Sequence, residues 1–130
     1  VVHNQEKNLR GDFMANWQSN SEKPSMENNL QYHIRCNDAD INRYVLLPGD
    51  PERVNEIANE WQEARFIANN REFRTFSGKF CGVDISACST GIGGASAAIA
   101  VEELANLGAD TFIRIGSCGA IQENITCGGR

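Results

Sequence analysis

The chain has 130 residues, 41% of them hydrophobic and 22% charged, a composition that fits one globular domain with enough buried surface for a core. Seventeen acidic against 12 basic residues give a net charge of −5, which argues against a nucleic-acid binder built on broad counterion release. No 18-residue apolar run is present to span a membrane, while a small anion held by a few placed arginines stays open.

Residues 1–30 are rich in asparagine and scattered charge, and they read as a mobile leader. Leu9, Phe13 and Trp17 recur at four-residue spacing, which allows a weak helical turn or two as the alternative. The chain starts with Val, and Met14 and Met26 are both available as start residues. Residues 31–130 read as the folded part. Tyr44–Pro48 is an apolar run ending in Pro-Gly-Asp, a buried strand entering a turn. Asp50 as N-cap and Pro51 at the first helical position open an amphipathic helix over 51–63, with Val54, Ile57, Ala58 and Trp61 on one face. Strands follow over 65–69 and 73–80, with Ser77-Gly78-Lys79 as a candidate turn inside the second. Alternating Val83, Ile85 and Ala87 mark a strand to about Ser89. A glycine loop, Thr90–Gly94, leads into an Ala- and Leu-rich helix from Ala97 to Leu107, closed by Gly108. Thr111–Ile115 is a further strand, followed by Gly116-Ser-Cys-Gly119.

Strand, helix, strand over 83–116 is a βαβ unit with parallel strands and a right-handed crossover. Ligands of open α/β sheets sit outside the carboxyl ends of the strands. That puts the loops 48–53, 90–94 and 116–119 at one rim.

The five cysteines, Cys36, Cys81, Cys88, Cys118 and Cys127, are odd in number and form no CxxC pair or Cys/His cluster. They read as reduced thiols of a cytoplasmic protein, not as a zinc site or disulfide scaffold. The loop Gly91-Ile-Gly-Gly-Ala-Ser96 fails the dinucleotide fingerprint, because Ser96 replaces its last glycine and no acidic residue ends the next strand. No P-loop is present. Arg114 falls among apolar neighbours, which predicts a buried guanidinium in need of an anion. That anion is either a ligand or an internal carboxylate. Arg53 lies in the first turn of a helix just after Gly49, either as a surface arginine or as part of an anion site. Arg53, Arg114, Gly49 and the Ser117 hydroxyl at one rim would form a phosphate cradle.

Leu47-Pro-Gly-Asp-Pro-Glu-Arg-Val54, Asn70-Arg-Glu-Phe73, Ser89-Thr-Gly-Ile-Gly-Gly94 and Ile113-Arg-Ile-Gly-Ser-Cys-Gly-Ala-Ile-Gln122 resemble the nucleoside phosphorylase family, its uridine phosphorylase branch above the purine branch. The resemblance covers about residues 31–128. It implies an α/β, three-layer Rossmann-like fold with a mixed central sheet, of which this chain would hold the N-terminal half. It also implies phosphorolysis of a nucleoside to free base and ribose 1-phosphate, with phosphate as co-substrate and no organic cofactor. By resemblance, Gly49, Arg53, Arg114 and Ser117 are phosphate ligands, and Arg71 reaches phosphate in a neighbouring subunit's site. His33 resembles a histidine that crosses a dimer interface to the ribose 5′-hydroxyl. Ile92 resembles a residue lining the ribose, and Cys118 and Gly119 resemble residues lining the base. Glu72, Ile92 and Ser96 match positions that hold potassium in some relatives, with a simple salt bridge or helix start as the alternative. The implied assembly is a homodimer building to a homohexamer. The family's second half supplies the ribose grip and base contacts, so a non-catalytic fragment that binds phosphate or ribose is the alternative reading of this chain.

Overall fold

The structure is a computed structural model, and it describes residues 25–126 and Gly128. The first 24 residues, with Leu9, Phe13 and Trp17, lie outside the described residues, as does Cys127. Among the described residues, five strands and two α-helices make the fold: β1 (Tyr44–Pro48), α1 (Pro51–Asn59), β2 (Gln62–Asn70), β3 (Phe73–Phe80), β4 (Val83–Cys88), α2 (Gly94–Asn106) and β5 (Thr111–Ile115). The sheet is mixed, in the order β2-β3-β4-β1-β5. β1 is parallel to both β4 and β5, whereas β2-β3 and β3-β4 are antiparallel. The strands of the predicted βαβ unit are therefore parallel but not adjacent, because β1 lies between them.

Helix α1 starts as expected. The Asp50 side chain accepts from the Glu52 amide, and Pro51 occupies the first turn. It ends at Asn59, four residues short of the predicted boundary. The Glu60 and Trp61 amides close the last turn on Ile57 and Ala58, and β2 then begins at Gln62. Gly78 permits this early start. A Cβ there would stand 3.1 Å from the Ala64 Cα, 3.1 Å from the Trp61 ring and 3.2 Å from the Gln62 carbonyl. The glycine is a mid-strand gap into which β2 folds, so β3 runs unbroken through Ser77-Gly78-Lys79. The turn lies at Cys81 and Gly82, both at positive φ, as a tight hairpin requires.

The core joins Val45 and Leu47 of β1, Phe73 of β3, Cys88 of β4 and Ala100 and Leu104 of α2 with Ile34 and Cys36. Val54 and Ala58 of α1 are also buried, and α1 lies against β3, β4 and β1. Helix α2 begins three residues before the predicted Ala97, and Gly108, at φ +97, terminates it.

Candidate functional site

Because β1, β4 and β5 run parallel, their carboxyl ends point the same way. The loops that follow them meet there around an open cleft of about 700 Å³. Gly49, Asp50, Pro51 and Arg53 come from the first loop, Gly91, Ile92 and Gly93 from the second, and Arg114, Gly116 and Ser117 from the third. Glu72 enters from the β2–β3 turn. Backbone bonds join two of the loops: the Thr90 amide donates to Pro48 O and the Gly91 amide to Gly49 O, each at 2.9 Å. The glycine loop thereby continues the β1–β4 pairing beyond the strands.

Arg114 differs from its expectation. β5 is the sheet's edge among the described strands, and Arg114 is exposed there. Its Nη1 donates to Leu47 O at 2.6 Å and more weakly to Ile115 O at 3.4 Å. No carboxylate pairs with it or with Arg53 among the described residues, so an internal salt bridge does not account for either. The bond to Leu47 O carries the guanidinium across β1 to Gly49. A Cβ at Gly49 would lie 3.1 Å from Arg114 Nη2. A side chain at residue 49 would therefore press on the end of the guanidinium.

The cleft also holds two acids, and both are engaged. Asp50 caps α1. Glu72 Oε1 accepts from the Ser96 hydroxyl at 2.8 Å, and the Ser96 hydroxyl also reaches Thr90 O. The Glu72 carboxyl is held below the usual carboxylate range, first by its own backbone amide, then by Ser96, with Arg71 and His33 contributing charge. Gly91, at φ +65, packs directly over the Glu72 side chain: a Cβ would meet Glu72 Cγ at 2.7 Å. For potassium the donor chemistry fits, since a carboxylate and a hydroxyl are hard oxygen ligands. Ile92 could add only its backbone carbonyl, because its aliphatic side chain carries no donor atom.

The remaining predicted site residues lie outside the cleft lining. Arg71 sits in the β2–β3 turn at φ +54 and is exposed. Cys118 and Gly119 are exposed beyond β5. His33 stands in the segment before β1, its Nδ1 2.6 Å from Glu103 Oε1. Glu103 is a residue that the sequence reading missed. Its signal was present: on a helix, 103 falls on the stripe with Ala100, Leu104 and Leu107, and a lone carboxylate there calls for a partner. Among the described cysteines, Cys36 and Cys88 are buried and Cys81 and Cys118 exposed. Burial pushes both buried thiols up to about 12.

Comparison with known proteins points the same way in each case. The family model described as "Phosphorylase superfamily" matches residues 43–128. Uridine phosphorylase of Thermococcus kodakarensis is 62% identical over 108 residues, 83% of this chain and 39% of the relative. Guanosine phosphorylase of Halorubrum lacusprofundi is 43% identical over 98 residues, 75% of this chain and 41% of the relative. The crystal structure of uridine phosphorylase from Vibrio fischeri superposes with a TM-score of 0.72 at 42% identity, covering 86% of this chain and 44% of that one. Purine nucleoside phosphorylase of Toxoplasma gondii, solved in complex with immucillin-H, gives 0.69 at 42% identity, covering 73% and 38%. The chain spans about two-fifths of the length of these relatives. With its mixed sheet, the cleft at its carboxyl rim and a family model covering most of its folded residues, the chain belongs to the phosphorylase superfamily.

Proposed function

We propose that this chain carries the phosphate-binding side of a nucleoside phosphorylase of uridine phosphorylase type. One observation carries the reading: Gly49, Arg53, Arg114 and Ser117 line one cleft, and neither guanidinium there has a carboxylate partner among the described residues. Guanidinium forks match phosphate oxygens. The 62% identity to a uridine phosphorylase favours the pyrimidine branch. The guanosine and purine relatives support a purine nucleoside as the second reading.

In phosphorolysis the bond from C1′ to the base nitrogen breaks and a bond from C1′ to a phosphate oxygen forms. The base departs with the bonding electrons and takes up a proton. Arg53 and Arg114 fix the phosphate and hold its attacking oxygen toward the sugar, while the Ser117 hydroxyl donates to it. Their contribution is proximity and charge, with no covalent enzyme intermediate. Ile92, at the exposed tip of the glycine loop, forms an apolar wall for the ribose, and Cys118 and Gly119 border the base. A potassium ion would be held by Glu72, Ser96 and the Ile92 carbonyl and would supply fixed positive charge.

Arg71 and His33 lie outside the cleft lining, and we assign them to the neighbouring subunit's site in a homodimer that builds to a homohexamer, Arg71 toward phosphate and His33 toward the ribose 5′-hydroxyl. Two assays on the full-length enzyme test the reading. Arg114→Ala should lower phosphorolysis of uridine by about 10²-fold or more, as removal of one preorganised charge donor does elsewhere. A wild-type-like rate dependence on phosphate would sink the phosphate assignment. Mixing Arg71→Ala with Arg53→Ala subunits should restore part of the activity, since one site per mixed dimer is intact. Failure to complement despite demonstrated subunit exchange would refute shared sites.

A further inference from the structure

Glu103 sits on the core-facing stripe of α2, and its side chain is only 5% exposed. A carboxylate at that depth is unfavourable unless its oxygens are hydrogen-bonded. Among the described residues, the hydrogen-bond partners of its carboxylate come from one dipeptide. The His33 amide donates to Oε1 and Oε2 at 3.1 and 3.0 Å. The Ile34 amide donates to Oε2 at 2.9 Å. His33 Nδ1 lies 2.6 Å from Oε1. From the other side Asn70 Nδ2 donates to His33 O at 2.6 Å. The backbone of residue 33 is thus fixed at both its amide and its carbonyl, and its ring is fixed at one nitrogen.

A carboxylate that already takes backbone amides is an acceptor, so the contact at Nδ1 requires a hydrogen on that nitrogen. The ring then has one nitrogen left to change its proton or meet a ligand, Nε2. The ring is 24% exposed, with Tyr32 edge-on at 5.0 Å.

We propose that Glu103 is a positioning residue for His33: it holds the imidazole in the Nδ1–H form and at a fixed angle, so that the ring meets a nucleoside hydroxyl through Nε2. The proposal rests on the assignment of His33 to nucleoside binding made above. Glu103 touches no substrate itself and acts through the ring. The Glu103→Gln side chain keeps the shape and can still accept from the two amides. Its NH₂ group is a donor, however, and facing Nδ1 it would turn that nitrogen into the acceptor and move the hydrogen to Nε2.

Imidazole nitrogen NMR on the full-length protein, at a pH where the ring is neutral, tests this without any variant: His33 should be in the Nδ1–H form. A His33 signal of the Nε2–H form would overturn the proposal. In Glu103→Gln the signal should switch to Nε2–H, and KM for nucleoside should rise about tenfold with a smaller change in kcat. The same change should add nothing in a His33→Ala background. A Glu103→Gln protein that folds, keeps the Nδ1–H form and keeps its KM would refute the proposal, as would fully additive effects of the two substitutions. A normal KM in His33→Ala would instead refute the nucleoside role of His33, and the wild-type spectrum would still decide whether Glu103 sets the ring.

Discussion

Replacing Gly91 with Ala tests the construction of the cleft at a single methyl group. Two separate effects act there. The residue has φ +65, a left-handed conformation that disfavours a side chain by about 1–2 kcal/mol. The new Cβ would also lie 2.7 Å from Glu72 Cγ and 2.8 Å from Glu72 Cβ, where carbon atoms prefer about 3.5–4.0 Å. Those atoms belong to the base of the Glu72 side chain, which cannot swing aside, so an overpacking cost of about 1–3 kcal/mol follows. The sum is about 2–5 kcal/mol. Gly82→Ala is the control, because Gly82 has φ +82 but nothing within 4 Å of its absent Cβ. It should lose only the backbone part, about 1–2 kcal/mol. Thermal unfolding of the two variants at one protein concentration separates the effects. Each kcal/mol moves the midpoint of a domain of this size by a few degrees, so Gly91→Ala should melt several degrees below Gly82→Ala. Equal midpoints would show that the contact with Glu72 carries no energy. Glycine at this position would then have no steric basis beyond its backbone conformation.

Gly49→Ala should leave the melting temperature within a few degrees of wild type, because Gly49 has no left-handed φ and its nearest neighbour is the mobile end of Arg114. The displaced guanidinium should raise KM for phosphate by roughly three- to tenfold, since reacting groups tolerate little misplacement; an unchanged KM would separate Arg114 from phosphate. Cys36 and Cys88, pushed up to about 12 by burial, should resist alkylation at neutral pH while Cys81 and Cys118 react. The raised folded values also mean that the unfolded chain gives up these protons first, so stability should be intact below the ordinary thiol range and fall as pH rises from about 9 toward 12. Stability that stayed flat across that window in a comparison of wild type with Cys36→Ala/Cys88→Ala would contradict the burial of these thiols.

Local chemistry determined much of this protein without reference to its folded form. Asp50 and Pro51 mark the start of α1 because a carboxylate cap and a ring-fixed φ act within one turn. The apolar runs of β1 and β5 and the glycines between strands and helices fall where the sequence places them, and the strand-end rule brings their loops to one rim. The pairing of Gly49 and Arg53 with Arg114 and Ser117 followed from that rule together with the family resemblance. Tertiary structure decided the rest. That β1 separates β4 from β5 cannot be read from local pattern, since periodicity gives strands but not their neighbours. Gly78 looks like a turn residue in sequence and proves to be a gap filled by Trp61 and β2, contacts made across the hairpin. Arg114 looks buried because its neighbours are apolar, yet among the described residues it is exposed and sends its guanidinium over β1. Glu103 and His33 are 70 residues apart, and only the packing of α2 against the segment before β1 unites them. Local signals depend on the few residues within a turn or a strand, whereas a buried charge finds its partner only after the chain has closed.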